Sequence, residues 1–137
     1  MEKVNKVIEL LQRTFPASSV NPVKREWITA VQEKYPDVPV NLQYLYSTMG
    51  YGTLGDSYYS IHVLTEPADI YDQETAQKLE GKLIVGDDFN GDCHAYDAKN
   101  NWTFGYIDCN GQFNDLSDTY ADFIDFLQQL ALNQANQ

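Results

Sequence analysis

Cys93, His94, Cys109 and His62 are the side chains whose types first invite chemistry. Cys93 and His94 are adjacent in a β-branched and aromatic stretch that reads as a strand, so their side chains diverge. A two-residue turn at Asn100-Asn101 would set Cys93 opposite Asp108 and Cys109 opposite Asp92. The two thiols then fall on opposite sheet faces, and a disulfide is not expected. His94 and Cys109 would lie diagonally on one face, about 7–8 Å apart, which is loose for a nucleophile and its base. His62 reads as a packed or half-exposed strand residue.

Asp87-Asp88-Phe89-Asn90-Gly91-Asp92 looks like a fragment of a calcium loop. With Gly91 as the sixth-position glycine, position one is Gly86 and position twelve is Asp97. Neither supplies the ligand an EF-hand needs there. The same test on Asn110-Gly111 places Tyr106 and Ser117 at those positions and also fails. Asp and Asn are therefore expected to shape tight hairpin turns. No P-loop, GxGxxG, paired CxxC or HExxH is present, and nothing selects a carboxylate pair at glycosidase spacing. The expectation is a protein without catalytic residues, cofactor or metal.

The elements that must position these residues follow from periodicity. Val4, Val7, Ile8, Leu11 and Phe15 mark a first helix within residues 1–20. Asn21-Pro22 predicts the start of a second helix, with Asn21 as N-cap and an apolar stripe of Val23, Trp27, Ala30 and Val31. Val38-Pro39 opens a third, carrying Leu42, Leu45, Tyr46 and Met49 and ended by Gly50 and Gly52. Residues 58–64 suit a strand, and Asp72 caps a short helix closed by Gly81. Asn90-Gly91, Asn100-Asn101 and Asn110-Gly111 recur ten residues apart, which predicts an antiparallel meander. A last helix is expected from Ser117, its N-cap, with Tyr120, Phe123, Ile124, Leu127 and Leu130 facing the core, and residues 133–137 as a frayed tail. Both faces of the meander are nearly equally apolar, and the pattern leaves open which one the helices cover.

The 137 residues fit one α+β domain over 1–137, with N-terminal helices and a C-terminal helix packed on a mainly antiparallel β-meander. Hydrophobic residues at 43% support a packed core, and no apolar run is long enough for a membrane span or a signal peptide. A cytoplasmic location is expected. Net charge is −11, which weighs against direct nucleic-acid binding. The charge is uneven: residues 1–68 carry six basic and seven acidic side chains, residues 69–137 three and thirteen. Such a half is either a solvated face or a docking face for a basic partner. Ten tyrosines add rings of the kind enriched at interfaces, and Tyr58 and Tyr59 cannot both face the core.

The order of elements and two local motifs resemble the SUKH superfamily. Pro39-Val40-Asn41-Leu42-Gln43-Tyr44-Leu45-Tyr46 followed by Met49-Gly50-Tyr51-Gly52 is similar to its proline–helix–glycine entry. Ile84-Val85-Gly86-Asp87-Asp88-Phe89-Asn90-Gly91-Asp92 is similar to its central hairpin, and Phe123-Ile124-Asp125-Phe126-Leu127 to its closing helix. The resemblance covers about residues 21–130, and within the superfamily the YobK-type bacterial immunity proteins share the run from Gly50 to Trp102. It implies a non-catalytic α+β fold and a role as an immunity protein, or antitoxin, against a cognate polymorphic toxin domain, often a nuclease. A eukaryotic branch of regulatory scaffolds implies the alternative, a binding module for a cellular protein. The partner would be a protein, basic if a nuclease, with no direct nucleic acid and no membrane. The residues expected to meet it are Asp56, Tyr58, Tyr59, Asp87, Asp88, Asp92 and Asp97.

Overall fold

A computed structural model describes residues 1–136. Helix α1 (Glu2–Thr14) turns Val4, Val7, Ile8 and Leu11 inward, at the spacing of one helical face. Strand β1 (Ser19–Asn21) follows. Helix α2 (Arg25–Lys34) buries no residue fully. Helix α3 (Val40–Thr48) buries Leu42, Leu45 and Tyr46. Strands β2 (Tyr51–Leu54) and β3 (Tyr59–Thr65) lead through a 3-10 turn at Pro67–Asp69 to helix α4 (Gln73–Lys78). Then come β4 (Lys82–Asp87), β5 (Cys93–Asp97), β6 (Thr103–Ile107), β7 (Phe113–Asp115) and helix α5 (Phe123–Ala135).

The strands form one antiparallel sheet in chain order, β1 to β7. Helices α1, α3 and α5 cover one face, where Leu11, Leu45, Tyr59, Phe104, Phe123 and Leu127 are enclosed. The crossover between β3 and β4 folds over part of the other face, where Leu79 joins Ile84, Ala95 and Ile107. Two hydroxyls tie helix to sheet. Tyr46 donates to the His62 carbonyl at 2.6 Å, and Tyr96 accepts from Phe123 N–H at 2.8 Å. The second bond satisfies one of the unpaired amides that open α5.

The expected α+β meander with flanking helices is present, and four local expectations are corrected. Asn21 does not cap α2: its backbone pairs with Tyr51 in β1–β2, and α2 starts three residues after Pro22, at Arg25. Gly52 lies in β2, not only at the end of α3. A Cβ there would meet the Ser19 carbonyl well inside contact distance and Val20 Cα at 3.0 Å, so the glycine admits the close approach of β1. The C-terminal helix starts at Phe123 with Asp122 as N-cap, whose side chain accepts from Asp125 N–H at 2.9 Å. Residues 117–120 instead form a turn: Asp115 Oδ1 accepts from Ser117 N–H, and Leu116 O accepts from Tyr120 N–H. Residues 133–135 belong to α5 instead of a frayed tail, while Gln137 lies outside the described residues.

The register of β5 with β6 is the consequential correction. The loop is five residues long, 98–102, with Asn101 and Trp102 both in the left-handed region at φ 54° and 57°. Cys93 therefore pairs with Ile107 and His94 with Tyr106, one place away from the two-residue-turn expectation. A one-residue slip exchanges the faces of a strand. His94 and Tyr96 join Phe104 and Tyr106 under the helices, and Cys93 joins Ala95 and Ile107 on the other side.

Candidate binding surface at the loop end of the sheet

Alternating strand direction brings the β2–β3, β4–β5 and β6–β7 loops to one end of the sheet. Asp56, Asp88, Asp92 and Asp108 lie in these three loops. The aspartates are there because they build the turns. Asp87 Oδ1 accepts from Phe89 N–H at 2.9 Å, and Asp88 Oδ1 from Asn90 N–H at 2.8 Å. Asp108 Oδ1 accepts from Asn110 N–H at 2.9 Å and Gln112 N–H at 3.1 Å. The Gln112 amide and then the Asn114 side chain hold the Asp108 carboxyl below the usual carboxylate range.

Cations are drawn elsewhere. Lys78 pairs with Glu74, Lys82 with Asp97 at 3.5 Å, and Lys99 with Glu80 at 3.0 Å. Lys3 reaches Asp125 on α5. Among the described residues, Asp56, Asp88, Asp92 and Asp108 have no Lys or Arg within 4.0 Å. The loop end is thus a concentration of uncompensated negative charge, with a field that reaches about 8 Å at physiological salt.

Between this end and α5 lies a cleft of about 340 Å³. Asp88 and Asp92 line it beside Tyr106, Tyr120 and Phe126. His94 lines it too, although only 8% of its surface is exposed. The imidazole lies 4.0 Å from the Phe126 ring and parallel to Phe104, centroid to centroid. Burial pushes it down to about 4 against the opposing pull of Asp88 and Asp87, so it is neutral near pH 7. Its Nδ1 is 2.9 Å from Tyr59 Oη. The Tyr59 hydroxyl makes no other hydrogen bond among the described residues, so its O–H donates to Nδ1 and the imidazole proton sits on Nε2. Nε2 has no protein partner among the described residues and is open to solvent.

The expected contact residues separate into groups. Asp56, Asp88 and Asp92 share the loop end, and Asp56 is exposed there. Tyr58 is half-buried, its ring 5.0 Å from that of Phe15. Asp87 is half-buried beside His62, with Oδ2 at 2.5 Å from Nε2. Tyr59 is withdrawn from the set: it is fully enclosed beneath α5 and can touch no partner. Asp97 is withdrawn too. It stands at the opposite end of β5, 8% exposed, held by Lys82 and by Lys99 N–H at 3.2 Å. Tyr106 was not legible beside His94, because the sequence suggests a β5–β6 register one place from the observed one, while Tyr120 and Phe126 come from the turn before α5 and from α5 itself.

The Cys93 thiol is pushed up chiefly by burial and further by Asp87, Asp88 and Asp92, which disfavours the thiolate. Cys109 is exposed in the loop beyond β6, so the expected diagonal with His94 is absent. Both thiols are free. The reason given for that from sequence, opposite faces, does not apply, because the observed register gives β5 and β6 a different alternation. Among the described residues no three His, Cys, Asp or Glu side chains converge to hold a metal ion. The Asp87–Asp92 loop closes on its own amides, as the turn reading expects.

A larger cavity, about 460 Å³, lies at the other end of the sheet between the crossover and the β5–β6 loop. Its carboxylates are already matched: Glu66 by Lys34 and Tyr35, Glu80 by Lys99. No helix among the described residues is long and apolar enough to cross a membrane. Compared with known proteins, the chain matches no family model, and no curated protein matches it.

Proposed function

We propose that this protein is a non-catalytic immunity protein of the cytoplasm, which binds and neutralises a basic toxin domain through the loop end of its sheet. The observation that carries the reading is the set of four aspartates there with no Lys or Arg within 4.0 Å, while every lysine of the C-terminal half is paired elsewhere. A nuclease must hold phosphate, so its active surface is basic. An acidic protein surface can occupy that surface in place of nucleic acid. Steering by such a field accelerates encounter and makes association salt-sensitive. The resemblance of the Gly50–Gly52 and Gly86–Asp92 segments to SUKH immunity proteins supports the same reading.

The test uses the basic toxin domain that this reading expects to be encoded beside the protein's gene. Co-expression is expected to restore growth to cells producing that domain, and calorimetry to show affinity falling as salt rises. A triple variant, Asp88→Asn, Asp92→Lys and Asp108→Asn, keeps the turn-closing Oδ1 acceptors while removing charge. Its affinity is expected to drop at least about tenfold at low salt, mainly through a slower on-rate. An unchanged affinity in the folded variant removes the acidic end from the interface. Failure to rescue growth, with salt-insensitive binding of a host regulatory protein instead, favours the scaffold alternative.

A further inference from the structure

We propose that the cleft between α5 and the acidic loops receives one arginine side chain of the partner, with that residue's main-chain carbonyl on His94 Nε2–H. The inference rests on the partner being a basic protein, and it identifies the anchoring contact.

Three independent features of the cleft point to this occupant. Asp88 and Asp92 flank it and lack any basic side chain of their own chain within 4.0 Å, so a cation entering there gains charge partners without displacing any. Tyr106, Tyr120 and Phe126 supply aromatic faces, and the Tyr120 and Phe126 rings stand edge to face at 5.5 Å. A planar guanidinium stacks on such rings and can also bind carboxylates with its fork of donors, which an ammonium does less well. His94 is the third feature. Nine-tenths buried, it lines the cleft with one polar atom, Nε2, left without a partner. Because Tyr59 donates to Nδ1, Nε2 carries the proton, is open to solvent and is free to donate to an acceptor entering the cleft. A free guanidinium has none, whereas an arginine within a polypeptide brings its own carbonyl. The neutral imidazole does not repel the incoming charge.

The volume agrees. About 340 Å³ exceeds one guanidinium and accommodates the side chain with its adjoining peptide unit. Anchors of this kind, an arginine desolvated in an aromatic pocket, carry a large share of interface energy.

The experiment needs no toxin. Isotope-labelled protein is titrated with N-acetyl-arginine-N-methylamide and, separately, with the citrulline analogue, which is nearly isosteric and neutral. Saturable shifts of the Tyr106, Tyr120 and Phe126 signals and of the His94 Nε2 proton are expected for the arginine probe at millimolar concentration. The citrulline probe is expected to bind at least about tenfold more weakly. Asp88→Asn and Asp92→Asn keep their turn geometry and are each expected to weaken the arginine probe about threefold to fivefold. Asp69→Asn, outside the loop end, is expected to leave it unchanged. Equal binding of the two probes, indifference to Asp88 and Asp92, or the absence of saturable shifts overturns the proposal. Shifts elsewhere with a silent His94 Nε2 proton do so as well. If the probe fails while the triple variant still loses toxin affinity, the cleft inference falls and the functional reading stands. If the probe binds and the triple variant keeps its affinity, the cleft takes an arginine side chain that the toxin does not supply, and both the functional reading and the inference fall.

Discussion

Tyr59 of β3 and His94 of β5 meet at 2.9 Å, across the intervening strand β4. The bond passes over Gly86. A Cβ at Gly86 would lie 2.7 Å from Tyr59 Cε2 and 2.8 Å from Cζ, closer than real contacts come. One extra residue at Val85 bulges β4 at this point, between the pairs Ile84–Ala95 and Gly86–His94. The imidazole that lines the cleft is therefore held from behind by the Tyr59 phenol, through the gap that a glycine leaves.

Gly86→Ala is expected to destabilise the protein by about 1–3 kcal/mol, because the Tyr59 ring is enclosed on all sides and has nowhere to shift. Urea unfolding checks it. A loss under about 0.5 kcal/mol would mean that the ring is not pinned over β4.

His94 makes stability depend on pH in a defined direction. Its folded value of about 4 lies below the ordinary 6.5, chiefly from burial, with Asp88 and Asp87 facing it and opposing the shift. Below about pH 6.5 the unfolded chain takes up a proton that the folded chain refuses, so stability falls as pH drops toward 4 and this contribution is constant above 6.5. The full contribution is on the order of 3 kcal/mol. The stability difference between the native protein and His94→Gln is expected to shrink between about pH 7 and about pH 4.5. An Nε2 titration centred near the ordinary imidazole value contradicts the burial.

Asp97 and Asp92 are expected to behave oppositely. Asp97→Ala removes the buried partner of Lys82 and a turn acceptor for Lys99 N–H, and about 1–3 kcal/mol of stability is lost. Toxin affinity of the folded protein stays unchanged. Asp92→Asn weakens affinity with little effect on stability. Parallel calorimetric and urea measurements separate the two, and a loss of affinity in the Asp97 variant restores that end of β5 to the interface.

Helix α5 is capped by Asp122, not by Ser117. Asp122→Ala is expected to cost about 1 kcal/mol and Ser117→Ala less than about 0.5 kcal/mol. The reverse order in thermal unfolding would place the helix start back in the 117–120 turn.

Much of the fold was legible because it rests on short-range pattern. The α1 stripe from Val4 to Leu11, the Asp72 cap and the turn residues at ten-residue spacing each act over a few positions and need no distant partner. What escaped were the short strands. Ser19–Asn21 and Phe113–Asp115 are three residues each, weak in β-propensity, and exist because a neighbouring strand offers its backbone. The same holds for the C-terminal helix, where a turn held by Asp115 and Leu116 displaced a plausible Ser117 cap.

By itself, then, the sequence determined the element types, the meander, the excess of aspartate in its second half and the turns those aspartates build. It could not say which face the helices cover or which acids stand together. The face depended on a single residue in the 98–102 loop, since a period of two turns a one-place slip into an exchange of faces. Tertiary structure decided that His94 lies under α5 with Tyr106 and Phe126. It also left Asp88 and Asp92 unmatched at one end while Asp97 is held by Lys82 at the other. Strand direction decides which loops share an end, and that direction exists only once the sheet has formed.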